Sequence, residues 1–175
     1  TPFDRFLLFL CNQKSMSQFL IYVHLPKYLS QWVTNRLGNP VVFPASSPQN
    51  AVIRTYIRKP LPGEPVEALA PEGSTAIAIP DSIAKPPEEY NHMGIRGKLA
   101  VQETILDLFK RELWSDISPL ENTPCGLNKL IAAWCESHGI DIDRIETVRQ
   151  RYYRIRKDYR KRGINLKKIS PKISL

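Results

Sequence analysis

The sequence lacks a membrane span, a cysteine framework and any complete catalytic signature. Its N-terminal apolar run, Phe6 to Cys11, is six residues long, far short of the about 20 that a spanning helix needs. A secretory signal requires a basic start and a small-residue cleavage site. Here Asp4 and Arg5 cancel, and the run leads into Asn12-Gln13-Lys14. Leu10 stands where a lipid-anchored cysteine would follow a small residue. Residues 1–15 read as a nonessential leader or upstream extension, with Met16 as the expected true start. The three cysteines, Cys11, Cys125 and Cys135, form no CxxC pair, and no histidine falls at finger spacing. That pattern argues against a zinc site and a disulfide framework. Free thiols in a reducing cytoplasm follow.

Glycine is scarce, with 8 against 15 prolines, so connections are stiff and elements short. The hydrophobic share of 42% in 175 residues is enough for a buried core.

Excess positive charge is absent from most of the chain and concentrated at its end. Residues 1–143 hold 13 Lys/Arg against 15 Asp/Glu, whereas residues 144–175 hold 12 Lys/Arg against only Glu146 and Asp158. A one-sided excess of this kind is the footprint of a polyanion partner. A solvated basic surface is the plainer alternative.

Residues 17–25 (SQFLIYVHL) are aromatic and β-branched and predict a strand. Pro26 suits a helix start, and Tyr28, Leu29, Trp32, Val33 and Leu37 repeat at helical spacing up to Gly38. Val41 to Phe43 predicts a short strand, residues 46–50 a turn, and Ala51 to Arg58 a half-buried strand of imperfect alternation. Residues 59–73, with four prolines and two glycines, predict a stiff loop. Thr75 to Ile79 predicts a buried strand, and residues 80–94 a second loop. From Ile95 the period becomes helical, with Leu99, Gln102, Ile105, Leu106, Phe109 and Leu113 on one face to about Trp114. Thr123 as cap and Pro124 at the first turn predict the next helix, which carries Leu127, Leu130, Ile131 and Trp134 and ends at His138-Gly139. Asp143 with Glu146 predicts a capping box opening the last helix.

The expected class is α+β. Residues 16–80 form a small β-rich unit with one helix, residues 81–93 a linker, and residues 94–175 a three-helix basic unit.

At about 100° per residue, Ile145, Val148, Tyr152, Ile155 and Tyr159 share one stripe of the last helix. Thr147, Gln150, Arg154, Lys157 and Lys161 oppose it, flanked by Arg149, Arg151, Arg156 and Arg160. Gln and Arg pair bidentately with adenine and guanine edges, and flanking arginines reach phosphates. These nine residues are the candidate nucleic-acid contacts, with Gln150 and Arg154 nearest the bases. Duplex DNA is the expected partner ahead of RNA. Two alternatives stay open. The stripe's three–four spacing is also that of a coiled-coil seam, which would make a homodimer, and the basic face would also suit an acidic protein. The tail from Asn165 to Leu175 adds Lys167, Lys168 and Lys172 for backbone or minor-groove contact.

The passage 123–162 resembles a helix-turn-helix DNA-binding module, with Gly139 in the turn. Its turn of about five residues exceeds the three or four usual there. A second passage, Leu25-Pro26-Lys27-Tyr28-Leu29 with Trp32-Val33 and Leu37 through Pro44, resembles small uncharacterised proteins of bacterial mobile elements. That resemblance implies an accessory role and no chemistry.

No enzyme is expected, and neither cofactor nor metal. His24 reads as an edge histidine and His138 as a helix-end cation. His92, in the loop Tyr90–Gly94, is the best catalytic candidate but has no nucleophile or metal partner in the sequence. Gly94 to Lys98 lacks the spacing of a phosphate loop and reads as a helix start.

Overall fold

A computed structural model describes residues 19–64 and 70–162. The expectations for residues 1–15, Met16, residues 65–69 and the tail from Asn165 lie outside the described residues. The fold is α+β, with two strands and five helices among the described residues: β1 (Leu20–His24), α1 (Lys27–Leu37), α2 (Pro48–Tyr56), β2 (Ser74–Ala78), α3 (Ile95–Ile117), α4 (Leu127–Ser137) and α5 (Ile145–Lys161). The chain divides into two compact units between Ile105 and Leu106, inside α3. Residues 81–93 therefore belong to the first unit and do not separate two domains.

In the first unit, β1 and β2 pair antiparallel, with Ile21 opposite Ile77 and Val23 opposite Thr75. Alternation places Ile21, Val23 and Ile77 in the core, as are Leu29, Trp32 and Val33 of α1. Gly38 ends α1 at φ 88°, a backbone that a side chain disfavours. The expected strand Val41–Phe43 reduces to one parallel bridge from Val41 to Ile77.

The expected strand 51–58 is a helix. Pro48 stands in its first turn, and Ser47 caps it by accepting from the Asn50 amide at 3.2 Å. Asn50 explains the rest: its buried side-chain amide donates to the carbonyls of Phe43 and Pro44 and fixes the turn that launches α2. The faulty alternation of Ile53 and Tyr56 is helical periodicity, since Ile53 is buried and Tyr56 exposed. The first unit thus has two helices of its own besides the start of α3, and only two strands among the described residues.

Helix α3 runs three residues past Trp114. Its buried face is Val101, Ile105, Phe109, Leu113 and Ile117. Ile95 and Leu99, expected on that face, are 72% and 52% exposed.

In the second unit, Phe109, Leu113 and Ile117 form the core with Ile131, Trp134, Cys135, Val148 and Tyr152. Phe109 meets Trp134 edge-to-face at 5.7 Å, and the Trp134 indole donates to Asp116 at 2.8 Å. Helix α4 starts at Leu127 behind Gly126, so the expected Thr123–Pro124 cap is corrected. The Thr123 hydroxyl instead donates back to the Leu120 carbonyl. His138 closes α4 as expected, its ring stacked on Trp134. No helix among the described residues is long and apolar enough to cross a membrane.

Candidate nucleic-acid interface

Helix α5 does not start with the expected capping box. A 3-10 turn, Ile142–Arg144, leads into it, and no side chain caps the helix at Arg144. Asp143 lies inside that turn, 3.4 Å from the Arg144 guanidinium. Seven residues separate α4 from α5, against about three or four in a helix-turn-helix.

The apolar stripe is real and is used within the second unit. Val148 and Tyr152 are fully buried, while Ile145, Ile155 and Tyr159 are half-buried. Trp114 supplies the opposing surface, stacking on Tyr152 at 5.5 Å and meeting Tyr159 at 4.7 Å. The Tyr152 hydroxyl donates to Glu121 at 2.5 Å, and the Arg156 guanidinium reaches the same oxygen at 3.3 Å. Burial, then the bond to Glu121, pushes the Tyr152 phenol well above its ordinary range. A stripe covered this way leaves little seam for a second helix.

The outward face separates into two parts. Glu146 binds Arg149 at 2.5 Å and accepts from Gln150 at 3.2 Å, and these bonds hold its carboxyl below the usual range. Gln150, expected to read bases, is therefore tied to a neighbouring acid. Arg149 and Arg156 are each committed to a carboxylate. Beyond Gln150 the helix changes character. Arg154, Lys157, Arg160 and Lys161 are exposed and Arg151 is half-buried, and none makes an ion pair among the described residues. Thr147 is exposed on the acidic end, next to Glu146 in sequence.

The helix is thus polarised along its axis. Asp141, Asp143 and Glu146 cluster in sequence at its start, and the unpaired cations follow over the later turns. A helix-turn-helix brings the N-terminal residues of its second helix to the base edges. Here that end is acidic, and the cations without an ion pair among the described residues lie on the later turns. Sequence reasoning found the cations but missed Glu121 and Trp114, which decide where Arg156 and the stripe go. Neither residue carries a local signal, because both act across the fold.

The first unit brings His92 to an unexpected partner. Glu64 accepts from both terminal Arg58 nitrogens, Nη2 at 2.7 Å and Nη1 at 2.8 Å, and from the Leu61 amide at 2.7 Å. His92 Nε2 stands 3.2 Å from the same carboxylate. The Arg58 bonds, then the Leu61 amide, lower the Glu64 pKa to about 2. The backbones of Arg58 and His92 also form a bridge. This cluster clamps two loops together; it gives His92 an orienting carboxylate but no nucleophile. Lys85 adds a second clamp, donating to the carbonyls of Arg54 and Ile57 at 2.7 and 3.0 Å.

Cys125 is exposed, while burial raises the thiol of Cys135 to about 11. Among the described residues, no three His, Cys, Asp or Glu side chains stand close enough to hold a metal ion. No family model, curated protein or solved structure matches the chain.

Proposed function

We propose that the protein is a cytoplasmic, non-enzymatic DNA-binding protein that holds duplex DNA with the later turns of α5. The observation that carries this reading is the row of cations without ion-pair partners among the described residues, Arg151, Arg154, Lys157, Arg160 and Lys161, on a helix anchored by Trp114. An anchored helix presents its charges at fixed spacing, so phosphates are met without ordering a flexible chain. A rigid helix fits the major groove of B-form DNA, about 12 Å wide, and not the deep, narrow major groove of A-form RNA. DNA is therefore favoured over RNA. An accessory role on a mobile element is the setting implied by the resemblance at residues 25–44.

The test is a titration of the full chain with fluorescent duplex DNA at two salt concentrations. A matched titration uses a variant with Arg154, Lys157 and Lys161 changed to Ala. Deleting α5 is a poor control, because it uncovers Trp114. The expected result is tight, salt-sensitive binding that the variant loses. Equal affinity of the two chains overturns the reading, and tighter binding to a hairpin RNA of the same length replaces DNA with RNA.

A further inference from the structure

The start of α5 carries a second surface with the opposite chemistry. A groove of about 910 Å³ lies between α4 and the turn into α5. Its apolar lining includes Ala133, Ile145 and Ile142, and Ile142 is 87% exposed. Glu136, Asp141 and Asp143 line it as well, against one lining base, Lys129, with Arg144 beside Asp143 at 3.4 Å. Ile142 gains nothing from burial within its own unit, so its apolar surface stands open beside the acidic lining. An apolar centre with a charged rim is the layout of a protein contact surface.

The chemistry of the groove calls for an occupant with cations around an exposed apolar side chain. The same unit offers that combination at the other part of α5. Tyr153 is 42% exposed, its hydroxyl donating to Asn128 at 3.3 Å and its ring open, and it lies on the flank of Lys157 and Arg160, four and seven residues further on. Side chains at these spacings share a helix face. Opposite charge steers such surfaces together and fixes their register.

We propose that this groove docks the Tyr153–Lys157–Arg160 flank of a second copy of the chain. The two surfaces are different patches of one molecule, so the contact is head-to-tail. A head-to-tail contact that does not close into a ring adds further copies. The inference needs no nucleic acid and stands independently of the DNA reading. Where both hold, DNA and the groove compete for Lys157 and Arg160, and duplex dissolves the assembly.

Sedimentation velocity of the full chain without nucleic acid, at rising concentration in low and high salt, tests it. Two charge-reversed chains complete the test, one with Glu136→Lys and Asp143→Lys, the other with Lys157→Glu and Arg160→Glu. All four positions are exposed, and circular dichroism confirms that each variant folds. The expected result is that the natural chain forms dimers and larger species in low salt and dissociates in high salt. Each variant alone is monomeric. Mixed, they assemble again as alternating head-to-tail species, because the basic groove of the first meets the acidic flank of the second and the natural groove of the second meets the natural flank of the first. A natural chain that stays monomeric in low salt at about 100 µM, an affinity scale near the weak end of specific association, overturns the proposal. So does self-association that the rim reversal leaves unchanged. Loss of DNA binding with assembly intact would count against the DNA reading alone.

Discussion

The Tyr152 hydroxyl donates to the Glu121 carboxylate at 2.5 Å, and this bond ties α5 to the turn that follows α3. Tyr152 is fully buried, and Arg156 approaches the same Glu121 oxygen at 3.3 Å. One carboxylate thus serves a phenol and a guanidinium, so the helix that carries the cations is held by a charge-assisted bond as well as by Trp114.

Tyr152→Phe keeps the ring on Trp114 and removes only that bond. A hydrogen bond to a charged group contributes about 1.5–3 kcal/mol, and a loss of this order is expected in urea unfolding at neutral pH. The pH dependence is more diagnostic. The folded-state pKa of Tyr152 lies above its ordinary value of 10, so the folded chain keeps a proton that the unfolded chain releases. The contribution is full below pH 10 and falls as pH rises beyond it. The natural chain should lose stability above that pH, and the phenylalanine variant should show a shallower alkaline loss. Equal alkaline slopes would remove Tyr152 as the cause.

Glu64 gives the opposite pH signature. Its carboxyl is lowered from 4.5 to about 2 by Arg58 and the Leu61 amide. The folded chain therefore favours the charged form. Its contribution is present above pH 4.5 and is lost as pH falls towards about 2. Glu64→Gln should be less stable than the natural chain at neutral pH, with the difference closing through that acid window. Thermal melts of both chains between neutral pH and pH 2 check it. A gap that stays constant into acid would assign the loss to geometry rather than to charge.

Gly97 is required by space. A Cβ there would lie 2.6 Å from Met93 Cγ and 2.7 Å from Tyr56 Cβ. Changing a helical glycine to alanine normally favours the helix by about 1 kcal/mol, but here the crowding forces a shift, and overpacking costs about 1–3 kcal/mol. The expected outcome of Gly97→Ala is a net loss of stability in chemical denaturation. Gly94→Ala, where nothing lies within 4 Å, should be nearly neutral and serves as the control.

What the sequence disclosed depended on the range of the forces involved. The stripe from Ile145 to Tyr159 was legible because helical periodicity is local, and burial of Val148 and Tyr152 follows it. The elements β1, α1 and β2 were legible for the same reason. Residues 51–58 misled because Val52, Ile53, Thr55 and Tyr56 have strand propensity, while the deciding groups, Ser47 and Asn50, sit upstream as a cap and a turn lock. Asp143 and Glu146 had capping-box spacing, but Glu146 found Arg149 and Gln150 instead of the backbone. The candidate interface was legible as charge. Which cations are already occupied was not, because Glu121 reaches Arg156 only across the fold.

The paired and unpaired cations of α5 should separate in binding. Arg149 is held by Glu146 and Arg156 by Glu121, so contact with phosphate would require breaking an existing pair. Arg154, Lys157 and Lys161 have no such pair among the described residues. Every phosphate left without its cation reduces the steepness of log K against log salt by about 0.9 for B-form DNA. Changing Arg154, Lys157 and Lys161 together to Ala should therefore flatten the slope by about 2–3 and weaken binding by more than about tenfold in low salt. Arg149→Ala should change the slope by well under about 1, since it frees Glu146 and leaves the phosphates with their cations. Filter-binding or anisotropy titrations across a series of salt concentrations separate the two outcomes. If Arg149→Ala flattens the slope as much as Arg154→Ala does, the division of the helix into occupied and available cations is wrong, and the interface extends to its acidic end.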